Sequence, residues 1–203
     1  MKIICIGRNY VEHIRELNSA MPSAPVFFLK PDTALLTRNR PFFYPDFTRE
    51  IHHEVELVLK ISRVGKTIQP KFAHLYYDEI GLGFDLTARD LQDEAKKKSL
   101  PWALSKGFDG SAPISRFVPK TQFPDMKDIG FRLDLNGKTV QEGNSSLMLY
   151  PFDEIISYIS RFMTLRTGDL IFTGTPSGVG PIKPGDVLEG YLGPEKMLTT
   201  RVK

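Results

Sequence analysis

Cysteine is almost missing from this chain: Cys5 is the only one among 203 residues. No disulfide can form within the chain, and a reducing compartment, the cytoplasm, is the default expectation. Cys5 sits in the apolar run Ile3-Ile4-Cys5-Ile6 and reads as a small core residue, not a nucleophile. An excess of one charge is also missing. The 27 basic and 24 acidic residues leave a formal net charge of only +3. No basic tail and no Lys/Arg patch interleaved with aromatics is present, which argues against a nucleic-acid partner. No apolar run approaches the length of a membrane span, and Ile3–Ile6 is too short for a signal-peptide core. Repeats and low-complexity segments are absent. What remains is a globular composition, 41% hydrophobic and 25% charged, over a length that suits one domain spanning residues 1–203.

"KIICIG" reads as a short buried strand ending at Gly7. "RNYVEHIRELNS" spaces Val11, Ile14 and Leu17 three apart, as a helix does. Prolines break the chain on both sides of the apolar run Val26 to Leu29. In "EIGLGFDLTARDLQDEAKKKS" an apolar run ends at Asp85, and Thr87 to Asp90 matches a capping-box start for a helix reaching about Lys98. Lys96-Lys97-Lys98, with Asp93 and Glu94 at i,i+4 spacing, reads as a solvated helix face. Asn136-Gly137 is the strongest hairpin signal. Pro151 precedes a helix whose apolar stripe is Phe152, Ile155, Ile156, Ile159 and Met163. "GTPSGVGP" lacks the phosphate-loop pattern and reads as a strand-connecting turn. Strands dominate, with two or three helices and no regular strand–helix alternation, so an α+β, mainly β architecture is expected.

Residues i and i+2 of a strand point to one face. In "IHHEVELVLKI", Glu54 and Glu56 therefore project together, opposite Val55, Leu57 and Leu59. Two readings stay open: an amphipathic strand with its glutamates in water, or two ligands about 6.5–7 Å apart at Cα converging on one ion. Asp85, at the end of "IGLGF", is either a partner of the following helix N-terminus or a third carboxylate of the same site. Three carboxylates without Cys or His select Mg²⁺, Mn²⁺ or Ca²⁺ over Zn²⁺. His52 and His53 read as structural or surface residues. His13 and Glu16 stand three apart on the N-terminal helix, so Glu16 can orient and polarise His13. The flanking prolines and small residues permit that segment, about residues 8–30, to act as a mobile lid.

Five stretches, "GRNYVEH", "PVFFLKP", "HHEVEL", "GFDLTARDLQDEAKKKSLPWALSKGFDG" and "IFTGTPSGVGPIKPGD", run in order from about Ile6 to the C-terminus. Together they resemble the fumarylacetoacetate hydrolase family, above all its short single-domain acylpyruvases. The resemblance implies a mixed β-sandwich roll with a few short helices, a homodimer, and a divalent metal, usually Mg²⁺, at the positions of Glu54, Glu56 and Asp85. It implies a lid dyad at His13 and Glu16, active-site roles for Gln92 and Lys106, and contact between a substrate carboxylate and Thr175 of the "TGTP" turn. Arg8 and Arg89 fall in matching motifs as substrate-binding positions, although Arg89 also fits a brace for the strand-to-helix turn.

The implied activity is metal-dependent hydrolysis of a carbon–carbon bond in acylpyruvates or related 2,4-dioxo acids, with His13 as the water-activating base. Three carboxylates and one divalent ion leave about −1, which Lys106 would offset. The same scaffold also suits oxaloacetate decarboxylation or tautomerisation, or isomerisation of 2-hydroxyhepta-2,4-diene-1,7-dioate, because fold and metal do not separate these reactions. A non-catalytic metal- or carboxylate-binding protein is the alternative of another class.

Overall fold

The computed structural model describes residues 1–203. Its main sheet has six strands in the order Val26–Lys30, Ile3–Gly7, Leu170–Phe172, Val55–Ile61, Tyr77–Phe84 and Val118–Pro119. Ile3–Gly7 and Leu170–Phe172 are the parallel pair; the other neighbours are antiparallel. A second, antiparallel sheet joins Lys138–Asn144, Gly130–Leu135, Val187–Leu192 and Glu195–Arg201. A small sheet of Gly180–Ile182, Ile51–His53 and Thr87–Ala88 borders the end of the main one. The architecture is mainly β, as the sequence pattern implied, and is the roll that the family resemblance implied.

The main sheet is buried on both faces, and the period-two alternation sorts its side chains. Ile4, Ile6, Leu57 and Leu59 join the large core with the second sheet and the helix Phe152–Phe162. Ile3, Cys5, Val58 and Phe172 join a smaller cluster on the other face. Glu54 and Glu56 share parity with Val58, so they point toward that second, covered face and not into water. Gly83 pairs with Glu56 across the strands. A Cβ there would come within 2.3 Å of the Phe172 ring, so no larger residue lets Tyr77–Phe84 lie this close.

The hairpin forms where Asn136-Gly137 places it, with φ of 53° and 79°, as a type I′ turn requires. Five helices form, two of them single turns, Pro70–Ala73 and Ala103–Lys106, too short to leave a periodic signal. The N-terminal helix is only Val11–Glu16, and Met163 lies just past the end of Phe152–Phe162. The capping box does not form. The helix Arg89–Lys97 has no side-chain cap, because the Thr87 hydroxyl donates to Asp85 O and accepts from Lys106 Nζ. No helix is long and apolar enough to cross a membrane.

Candidate active site

Nine of the ten expected site residues line one cleft: Arg8, His13, Glu54, Glu56, Asp85, Arg89, Gln92, Lys106 and Thr175. Glu16 stands behind His13. Its Oε2 lies 3.0 Å from His13 Nδ1, and its Oε1 accepts from the Gly178 N–H at 2.9 Å. The cleft holds about 40 Å³ of space, room for a few waters and little more.

Glu54, Glu56 and Asp85 are 5%, 1% and 1% exposed, which disposes of the solvated-strand reading. One carboxylate oxygen from each lies within 4.8 Å of the others. Backbone pairing brings them together: the Asp85 N–H donates to Glu54 O at 2.8 Å, so the end of one strand is tied to the start of its neighbour. Three buried cations face the three carboxylates. Lys106 Nζ donates to Glu54 Oε2 at 2.8 Å, Asp85 Oδ2 at 2.7 Å and Thr87 Oγ1 at 2.6 Å, which uses all three of its donors. Arg89 donates to Glu54 Oε1 and Gln92 Oε1, both at 2.5 Å. Arg89 is therefore a brace in this structure, while Gln92 keeps its NH₂ for the cleft.

The third cation is Lys30, which sequence reasoning passed over. Its Nζ reaches the carbonyls of Leu86 and Ser111 at 3.3 and 3.0 Å and the Ser111 hydroxyl at 3.0 Å. It also lies 2.8 Å from Asp85 Oδ1, but at an angle too poor for a hydrogen bond, so that buried oxygen has no donor. The available signal was a lysine closing the apolar strand of "PVFFLKP". With Lys30, Arg89 and Lys106 counted, the −1 expected for three carboxylates and a divalent ion becomes about +2.

The electrostatics separate the two glutamates. Burial works to raise the Glu54 pKa, but Lys106 and Arg89 overcome it and hold the group well below the carboxylate range. Burial, with repulsion from Asp85 and Glu54, pushes Glu56 well above that range despite the Gly174 N–H at 2.7 Å. Burial also opposes the charge on Lys106, yet Asp85 and Glu54 raise its pKa. An all-oxygen donor set, a donorless Asp85 Oδ1 and a glutamate destabilised by its acidic neighbours together fit a hard divalent cation.

Gly174 has φ of 100°, and a Cβ there would meet Asn9 Cβ at 2.7 Å, so the "TGTP" turn needs glycine to aim its N–H at Glu56. Arg8 has φ of 60° and no ion-pair partner. His53 donates to Gln141 and His52 contacts Glu50 and Arg89; neither joins the acidic cluster. Lys96, read as part of a solvated face, instead lines the cleft, where burial and Arg89 lower its pKa. Gln141, buried beneath the Thr175 turn, left no recognisable signal on its alternating strand.

Residues 2–203 match the family described as Fumarylacetoacetate (FAA) hydrolase C-terminal. The mitochondrial oxaloacetate tautomerase of Bos taurus is 47% identical over 190 residues, 94% of this chain and 86% of the relative. The mitochondrial oxaloacetate decarboxylase of Dictyostelium discoideum is 46% identical over 189 residues, 93% of this chain and 87% of the relative. Among solved structures, fumarylpyruvate hydrolase from Pseudomonas aeruginosa, in complex with Mn²⁺ and pyruvate, superposes with a TM-score of 0.94 at 34% identity, over 100% of this chain and 89% of that one. Sequence and fold agree from end to end: the chain belongs to the fumarylacetoacetate hydrolase family.

Proposed function

We propose that this chain is a divalent-metal-dependent enzyme of oxaloacetate, interconverting its enol and keto forms, with decarboxylation of the same bound acid as the companion reaction. The names of the relatives favour this over acylpyruvate hydrolysis, the activity first expected from the motifs. The observation that carries it is the charge count. Three carboxylates already face three buried cations, so a divalent ion brings this buried cluster to an excess of about two positive charges, before the cleft-lining Arg8 and Lys96 are counted. That excess matches a dianion such as oxaloacetate better than the monoanion of a simple acylpyruvate.

Glu54, Glu56 and Asp85 would hold Mg²⁺ or Mn²⁺, which supplies a Lewis acid for the oxygens of a 2-keto acid. The chain's own groups do the rest. Glu16 accepts from His13 Nδ1, which leaves the lone pair on Nε2, where no protein group meets it. In tautomerisation, His13 Nε2 takes the proton from carbon 3 of the keto form and passes it to the oxygen on carbon 2, and the enol returns to the keto form by the reverse path. In decarboxylation, the carbon 3–carbon 4 bond breaks to release CO₂, and the His13 ring, protonated from water, gives its proton to carbon 3. Gln92, its carbonyl held by Arg89, offers N–H donors to the substrate, and Thr175 offers its hydroxyl. Arg8, with no partner of its own, supplies positive charge at the cleft. The lid expected over residues 8–30 narrows to the segment around Val11–Glu16, because Val26–Lys30 is a strand of the main sheet and Lys30 lies against Asp85. That shorter segment opens to admit substrate to one catalytic domain, 1–203.

Acylpyruvate-type hydrolysis is the second reading, favoured by the fumarylpyruvate hydrolase neighbour, with the same His13 Nε2 activating water. The homodimer stays a proposal from the family resemblance. The cytoplasmic expectation rests on the free, buried Cys5, and the relatives named above are mitochondrial. The test is ultraviolet decay of enol-oxaloacetate after EDTA, then with Mg²⁺ or Mn²⁺ restored, beside pyruvate release from acetylpyruvate. Metal-dependent acceleration of enol decay above the acetylpyruvate rate supports the proposal. Faster acetylpyruvate cleavage moves the chain to the second reading.

A further inference from the structure

Gln141 lies on Lys138–Asn144 of the second sheet, 1% exposed and outside the cleft lining. Its amide makes four hydrogen bonds. Oε1 accepts from the Val55 N–H at 3.1 Å and faces His53 Nδ1 at 2.9 Å. Nε2 donates to Thr175 Oγ1 at 2.8 Å and to Pro176 O at 2.9 Å. The orientation is unambiguous, because a backbone N–H only donates and a carbonyl oxygen only accepts. Two consequences are forced. His53 carries its proton on Nδ1, in keeping with a pKa lowered by burial. Thr175 Oγ1 is the acceptor toward Gln141, so its own proton is left for another partner, and Thr175 lines the cleft.

A hydroxyl rotates freely between donor and acceptor roles. We propose that Gln141 is a positioning residue that commits the Thr175 hydroxyl to donate into the cleft, so that it binds the carboxylate of a 2-keto acid. The inference rests on the keto-acid reading of the cleft given above. The same amide holds Val55, the residue between Glu54 and Glu56, so one side chain sets the distance between the carboxylate strand and the substrate-binding turn.

The test is calorimetric binding of pyruvate to the Mn²⁺-loaded protein, which needs no turnover. Gln141→Glu keeps the acceptor for Val55 but puts a second acceptor opposite Thr175, turning the hydroxyl proton away from the cleft. Pyruvate binding should weaken about 10-fold, the scale of one hydrogen bond to a charged group. Gln141→Met, which buries no charge, frees the hydroxyl and should weaken binding roughly 3-fold. In a Thr175→Val background either change should have less than about a twofold effect, since the group it acts through is gone. Mn²⁺ affinity of Gln141→Glu should stay within about threefold of wild type. Equal losses with and without the Thr175 hydroxyl, or parallel loss of Mn²⁺ affinity, would assign Gln141 a merely structural role and overturn the inference alone. Failure of the wild type to bind pyruvate would overturn the carboxylate reading and the inference with it. If pyruvate binding follows the cycle but oxaloacetate is not turned over, the inference stands and the proposed activity does not.

Discussion

The two halves of the cleft are built differently. The carboxylate half grows from paired strands of the main sheet. Its groups are almost wholly buried, and each is held by ion pairs or backbone donors. The lid half is the six-residue helix Val11–Glu16, which has no side-chain cap. Its outer face, Glu12 and Arg15, is exposed and joined only by a surface ion pair, which contributes little. The lid is tied down at its root. Asn9 is fully buried, donates to Thr173 O at 2.8 Å and accepts from the Tyr150 N–H at 2.8 Å. Tyr10 and Ile14 anchor it in the core. Beyond those anchors, the link to the rest of the site is Glu16 to the Gly178 N–H. On the proposed function, the contrast is between a floor preorganised to hold a multivalent ion and a lid with a firm hinge and a light latch.

The sharpest way to break this comparison is to remove the lid's base and leave the floor intact. His13→Ala should lower oxaloacetate turnover by roughly 10²–10⁴-fold, the range for a lost general base. Mn²⁺ affinity, read by calorimetry, should be unchanged. A parallel loss of metal binding would show that floor and lid are one unit.

Next in size is the floor's hidden support. Lys30→Met leaves Asp85 and three buried carbonyls, those of Leu86, Lys106 and Ser111, short of a cation, and breaking a buried pair of this kind costs about 3–5 kcal/mol. For a chain of this length, thermal unfolding should fall on the order of 10 °C. The matching lid change, Arg15→Ala, removes only an exposed pair and should leave the melting temperature within about 1–2 °C. Equal shifts would contradict the contrast.

The smallest effect is a proton count. Burial and two acidic neighbours hold Glu56 protonated in the metal-free fold at pH values where a free glutamate is ionised. The folded metal-free chain therefore binds more protons there than the unfolded one. This contribution to its stability is present below the ordinary carboxylate range and is lost as pH rises through the elevated value. Mn²⁺ needs the ionised group, so its binding below the elevated value should release a proton and tighten as pH rises. Calorimetry in two buffers of different ionisation enthalpy reads this directly. Release of none would show Glu56 already ionised.

The same division shows what could be read from the chain. Glu54 and Glu56 were legible as a same-face pair because the strand period is local, and Asp85 because it closes an apolar run. His13 and Glu16 were legible because helical spacing is local. Burial of the glutamates was not, since it depends on what covers the second face of the sheet. Thr87 misled for a related reason: its local pattern is a helix cap, but Lys106, 19 residues away, takes its hydroxyl. Lys30 and Gln141 act across 55 and 34 or more residues on groups in other strands, and nothing in their own neighbourhoods announces it. Local periodicity reveals the residues that face the cleft. The residues that hold those in place come from long-range packing.

The most direct test of the central claim is a Mn²⁺ titration followed by electron paramagnetic resonance, on the wild type and on Glu56→Gln. The substitution is nearly isosteric and keeps an oxygen for the Gly174 N–H. One Mn²⁺ should bind per chain, and Glu56→Gln should weaken it at least about 10²-fold, beyond what outer-shell changes at metal sites cost. No binding by the wild type, or equal affinity in the two proteins, would contradict the assignment of Glu54, Glu56 and Asp85 as a metal centre.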